Sequence, residues 1–153
     1  MVLRQFVLQT ILLMLILVAP VWSTMPSARI GNNLVKLEVA TTPEQIERGL
    51  MYRTSLATDS GMVFIFHPAR LVKFWMYHTL IPLDMCFVYQ GRIVKIFENV
   101  QPCHSEDPRQ CPTYPQEDPG INVTEVIEVA GGYAKSHGIK EGDKVTYELD
   151  IKQ

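Results

Sequence analysis

Neither charge sign dominates the 153-residue chain: 14 Lys and Arg face 16 Asp and Glu, a net charge of −2. That balance lacks the basic field that draws nucleic acid, so nucleic acid is not an expected partner. Cysteine is rare, three residues in all, and their spacing matches none of the common zinc patterns. No glycine-rich phosphate loop occurs, nor any nucleophile paired with a base at motif spacing. Phosphoryl and acyl transfer are left without a signature, and no cofactor is implied. There is no internal repeat, so solenoid and propeller architectures fall away. No apolar run reaches the ~20 residues of a membrane-spanning helix.

The nearest such run, Phe6 to Val18, has a different use. Arg4 before it, Pro20 after it and the small Ser23 beyond follow the order of a secretory signal peptide over residues 1–23. Export to the periplasm or the extracellular space is the expectation. Left uncleaved, residues 6–18 would be an anchor and the only membrane contact; a true start at Met25 is the remaining reading. Residues 24–33 read as a polar linker. Residues 34–151 then form one domain, expected to be monomeric, with ample apolar residues for a core.

Within that domain the period of two recurs. Val35, Leu37 and Val39 alternate with Lys36 and Glu38 as a half-buried strand does. Thr42-Pro43-Glu44-Gln45 supplies a capping residue, a first-turn proline and Gln three residues after the cap, and Gly49 can stop the helix. About two turns result, with Ile46 and Leu50 facing inward. Met62 to Phe66 reads as a strand ended by His67-Pro68, and Val72 to Tyr77 as an aromatic-rich one. After a turn over Thr79 to Pro82, Asp84 to Tyr89 and Arg92 to Glu98 form a hairpin through Gln90-Gly91. Met85, Phe87 and Tyr89 share one face; Asp84, Cys86 and Val88 share the other. Five of the ten prolines fall between Asn99 and Asn122, a stretch without hydrophobic period that reads as a long loop. Val123 to Val129 is a strand, Gly132 to His137 a short helix, and Val145 to Ile151 a last alternating strand. The expected fold is mainly β: an antiparallel sandwich or a partly open barrel with two short helices.

Asp84 is the oddest residue. It lies between Leu83 and Met85 in an almost wholly apolar stretch, and an ionised carboxylate there is costly to bury without a cation or several donors. Two structural readings stand beside a functional one: an ion pair with Arg48 or Arg53, a carboxylate held by turn amides, or the polar anchor of a pocket lined by Trp75, Met76 and Thr79. Arg48, Arg53, Trp75, Met76, Thr79 and Asp84 are therefore the candidate ligand-binding residues; no catalytic residue is assigned. Cys103 and Cys111 enclose H-S-E-D-P-R-Q. In an exported chain a disulfide is the natural reading, with a metal site of Cys103, His104, Asp107 and Cys111 as its rival. Cys86 reads as a small buried hydrophobe.

Several stretches together carry a resemblance. R-G-L-M-Y-R from Arg48, G-M-V-F-I-F from Gly61, F-W-M-Y-H-T-L-I-P-L-D from Phe74, C-P-x-Y at Cys111 and G-I-K-E-G-D from Gly138 occur in the order seen in the domain-of-unknown-function 192 family. The chain resembles that family from about Leu34 to Ile151. The resemblance implies a small, compact, mostly β domain, commonly prokaryotic and often exported, with no assigned biochemical function. Tyr77-His78 departs from the family pattern, which commonly has a basic residue and an amide there, so no role carries over to His78.

Two function classes follow. The first is a non-catalytic module that binds a small polar ligand or a partner protein between the aromatic strand, Asp84 and the loop of Cys103 and Cys111. The alternative is a hydrolase-type enzyme using Asp84 with His78 or an arginine. A second carboxylate within about 5–10 Å of Asp84 would favour a glycosidase-like site.

Overall fold

The computed structural model describes residues 25–117 and 119–148. The signal-peptide reading of residues 1–23 and the last residues of the final strand lie outside them. In order, the elements are β1 (Ser27–Ile30), β2 (Asn33–Ala40), α1 (Pro43–Arg48), β3 (Ser60–Val72), β4 (Phe74–Trp75), β5 (Leu83–Tyr89) and β6 (Arg92–Val100). A 3₁₀ turn (Pro108–Gln110), β7 (Thr113–Tyr114), β8 (Ile121–Ala130), α2 (Tyr133–Ser136) and β9 (Val145–Glu148) complete the described chain.

One seven-stranded sheet, in the order β6-β5-β8-β3-β2-β1-β9, curls into a half-barrel; β4 and β7 make a small second sheet. The two edges of the large sheet meet at one end. Val145 N–H donates to the Gly91 carbonyl at 2.9 Å and Ile93 N–H to the Asp143 carbonyl at 3.0 Å, so the barrel is partly closed there. The pairing is antiparallel throughout except for β2 with β3, which run parallel because α1 and its flanking turns carry the chain across.

Local chemistry explains the elements. Thr42 caps α1 with a reciprocal Gln45 contact, the capping box read in the sequence. Gln90 and Gly91 have φ of 50° and 72°, the two left-handed residues that a tight hairpin between twisted strands requires. Three expectations are corrected. Ser27–Ile30, inside the stretch read as linker, is a strand because its residues pair with both β2 and β9. β3 runs past His67-Pro68 to Val72: the register against β8 shifts between Ile65 and Arg70, and this irregularity absorbs the proline's missing donor. The proline-rich loop carries the 3₁₀ turn and β7, whose pairing with β4 is non-local and leaves no periodic trace.

Both faces of the sheet are covered. One core gathers Val35, Leu37, Val63, Cys86, Val88, Ile127 and Val129 under α2, with Tyr133 and Ala134. The other gathers Leu50, Phe64, Phe74, Met76, Met85, Phe87 and Val126 beneath the β4–β7 sheet and the residues after α1. Alternation along β5 therefore runs as expected, with Cys86 and Val88 on one side and Met85 and Phe87 on the other.

Candidate functional site

Asp84 is fully buried, and backbone donors hold both of its oxygens. Asn99 N–H and Gly132 N–H donate to Oδ1 at 2.6 and 2.8 Å, and Ala134 N–H donates to Oδ2 at 2.7 Å. Helix α2 starts at Gly132, which has no side chain to cap it; Asp84, from a strand fifty residues earlier, satisfies those first amides instead. The expected ion pair is not made. Arg53 forms a two-pronged pair with Glu38, its Nη2 donating to Oε2 at 2.7 Å, and this partner holds the Glu38 carboxyl below its usual range. Asp84 also belongs to the α2 face of the sheet and does not anchor a pocket with Trp75.

A different acid occupies that place. Glu128 on β8 pairs in register with Met62 on β3 and Met85 on β5, which puts it on the face under β4. Only 4% of it is exposed, and its carboxyl makes no hydrogen bond or ion pair among the described residues. Burial pushes that carboxyl up to about 8. Glu128 lines a cavity of about 230 Å³ together with Phe64, Phe74, Trp75 and Thr79, and with Glu47, Arg48 and Lys73. Arg48 is exposed and Lys73 half-buried, its Nζ donating to the Gln116 carbonyl at 3.2 Å. Arg48, Trp75 and Thr79, three of the six sequence candidates, thus meet at one cavity. Arg53 lines the neighbouring groove with Glu38, and Met76, 1% exposed, belongs to the core.

An aromatic groove adjoins the cavity and shares Glu47, Arg48, Met51 and Trp75 with it. Its rings run Tyr52–His78–Tyr77–Trp75, with successive centroids 4.9, 3.8 and 5.6 Å apart. Tyr52 and His78 have φ of 65° and 53°, a left-handed conformation that side chains disfavour. Tyr52 N–H donates to the His78 carbonyl at 2.8 Å, so each strained residue holds the other.

The sequence carries only a partial signal of Glu128. T-E-V-I-E-V sets a glutamate among apolar residues in a strand whose two faces are both covered, and the solvent-facing alternation assumed for such a strand hides it.

Cys103 and Cys111 form a disulfide with Cα atoms 5.7 Å apart. Cys86 is buried and unbonded, its thiol pushed up to about 12 chiefly by burial. Among the described residues no three His, Cys, Asp or Glu side chains are grouped to hold a metal ion, and no helix is long and apolar enough to cross a membrane. Ser136, His137 and Asp59 lie close, with His137 Nε2 3.6 Å from Asp59 Oδ1. The Ser136 hydroxyl donates to the Tyr133 carbonyl at 2.9 Å, and His137 Nδ1 lies 2.9 Å from the same oxygen. Ser136 Oγ and His137 Nδ1 also lie 3.0 Å apart, so the two side chains gather around the Tyr133 carbonyl at the helix end.

The model of the DUF192 family, described as an uncharacterised ACR, matches residues 27–147. This chain belongs to the DUF192 family. Two solved structures share its fold. A protein of Sinorhizobium meliloti 1021, described as a candidate transcription regulator, is 34% identical over 80% of this chain and 92% of its own, with a TM-score of 0.68. A protein of unknown function from Novosphingobium aromaticivorans DSM 12444 is 32% identical over 78% and 83%, with a TM-score of 0.67. No curated protein matches this DUF192 chain.

Proposed function

We propose that this DUF192 domain is a non-catalytic binding module whose ligand is a small polar molecule seated in the cavity over Glu128. Glu128 carries the reading: a buried carboxyl without a protein partner costs stability, and a fold retains that cost where a bound molecule supplies the partner. Phe64, Phe74 and Trp75 give the apolar walls and Thr79 and Arg48 further polar contacts, the mixture that small-molecule sites use. The hydrolase alternative loses its acid, because all three amide bonds to Asp84 serve the fold. The regulator description of the Sinorhizobium protein, carried to this chain, would need a nucleic-acid face. A net charge of −2 and helices of six and four residues among the described residues favour the small ligand instead. Export through residues 1–23 is part of the same proposal and rests on the leader's sequence alone.

Native mass spectrometry of the protein purified from its own host tests the reading. A bound small molecule is expected on the parent chain and is expected to be lost in Glu128→Leu, which removes the anchor and fills its space with apolar atoms. A parent chain without a bound molecule, or one retained equally by the variant, counts against it.

A further inference from the structure

We infer that the ligand is a small zwitterion, with its ammonium group against Glu128 and its anionic group at Arg48. The inference rests on the cavity being a binding site and specifies what enters it. A buried carboxyl among apolar walls rewards a cation that can donate hydrogen bonds to its ionised form. The walls act in the same direction, since Phe64, Phe74 and Trp75 line the cavity and aromatic rings attract a desolvated ammonium. A divalent ion is the poorer match, because Glu128 is not grouped with two further metal-binding side chains among the described residues.

The charged groups that share the cavity with Glu128 are Glu47 and Arg48 from α1 and Lys73 just before β4; its register neighbours on β3 and β5 are the uncharged Met62 and Met85. Arg48 is exposed and lines both the cavity and the adjoining groove, so it stands where it can meet an anionic group on the ligand. Arg48 can bind a carboxylate or a phosphate in two-pronged fashion, and it makes no ion pair among the described residues.

Because burial holds the proton on Glu128 at neutral pH, an arriving ammonium should displace it. Isothermal titration of the purified protein at pH 7, in two buffers of different ionisation enthalpy, reads affinity and proton release together. The probes are γ-aminobutyrate and ε-aminocaproate as zwitterions, n-butylamine for the ammonium end alone and butyrate for the anionic end alone. The zwitterions are expected to bind more tightly than butylamine, butyrate not measurably, and each amine to release close to one proton. Glu128→Gln should abolish that release and weaken both amine classes by about tenfold or more. Arg48→Ala should weaken the zwitterions and leave butylamine unchanged.

Butyrate binding as well as butylamine, amine binding indifferent to Glu128→Gln, or no amine binding would each overturn the inference. If native mass spectrometry still finds a bound molecule that Glu128→Leu loses, the cavity remains a ligand site and only the zwitterion fails. If that bound molecule is absent as well, both readings fail.

Discussion

Two buried acids, Asp84 and Glu128, meet opposite fates, and donors decide which. Asp84 has three backbone N–H groups at 2.6 to 2.8 Å and serves as the missing cap of α2. Asp84→Asn should lower stability by roughly 2–4 kcal/mol, because an amide nitrogen then faces backbone donors that stay buried. Urea unfolding checks this, and a variant as stable as the parent would contradict the capping role. Glu128 lacks such donors, and its carboxyl is raised from 4.5 to about 8. The linkage sign follows from that direction. The contribution of the protonated group is fully present below the unfolded value and is lost as pH rises through the folded one. The parent should thus lose on the order of 5 kcal/mol between these limits, a slope that Glu128→Gln should lack. The sequence exposed the oddity of Asp84, since an acid between Leu83 and Met85 breaks an apolar run. It could not supply the partners, because Asn99, Gly132 and Ala134 are brought near only by the fold. Glu128 passed unnoticed because alternation alone cannot separate a solvent-facing glutamate from one under a second layer of structure.

Among the elements, strands with local signals were legible and those made by distant pairing were not. β2 and the β5–β6 hairpin carry period-two alternation and turn residues of their own, as α1 carries its capping box. β1 is four residues long and β7 two, and each is a strand only because of what lies beside it. The position of β7 matters to the cavity: Thr113 pairs with Trp75, and the Cys103–Cys111 disulfide closes the loop between the bridge at Tyr77 and β7. Cys103 N–H also donates to the Met76 carbonyl at 3.2 Å. Replacing both cysteines by serine should therefore lower stability by about 2–3 kcal/mol, the loop-closure value for a separation of eight residues. It should also raise amide exchange in β4 and β7 above that in β8. Unchanged exchange at Trp75 would show that the small sheet holds without its staple.

At the scale of the molecule, the half-barrel separates structural work from the candidate site. The face under α2 is closed by Tyr133, Ala134 and the Asp84 amide bonds, and Ser136 and His137 at its end gather around the Tyr133 carbonyl. The opposite face has the aromatic core, the cavity and the ring-lined groove with its two strained residues. The mainly β architecture and its open-barrel form were readable from alternation and short spacing. The parallel β2–β3 pair and the second covered face were not, because a sheet's edges and layers are properties of the closed chain. The central claim is that Glu128 is a buried carboxyl without a protein partner among the described residues, in a cavity able to receive a ligand. Carbon-13 NMR of the Glu128 carboxyl through a pH titration of the ligand-free protein tests it most directly. The account predicts a midpoint near 8, falling when a bound amine supplies the partner; a midpoint near the ordinary 4.5 in the ligand-free protein would contradict it.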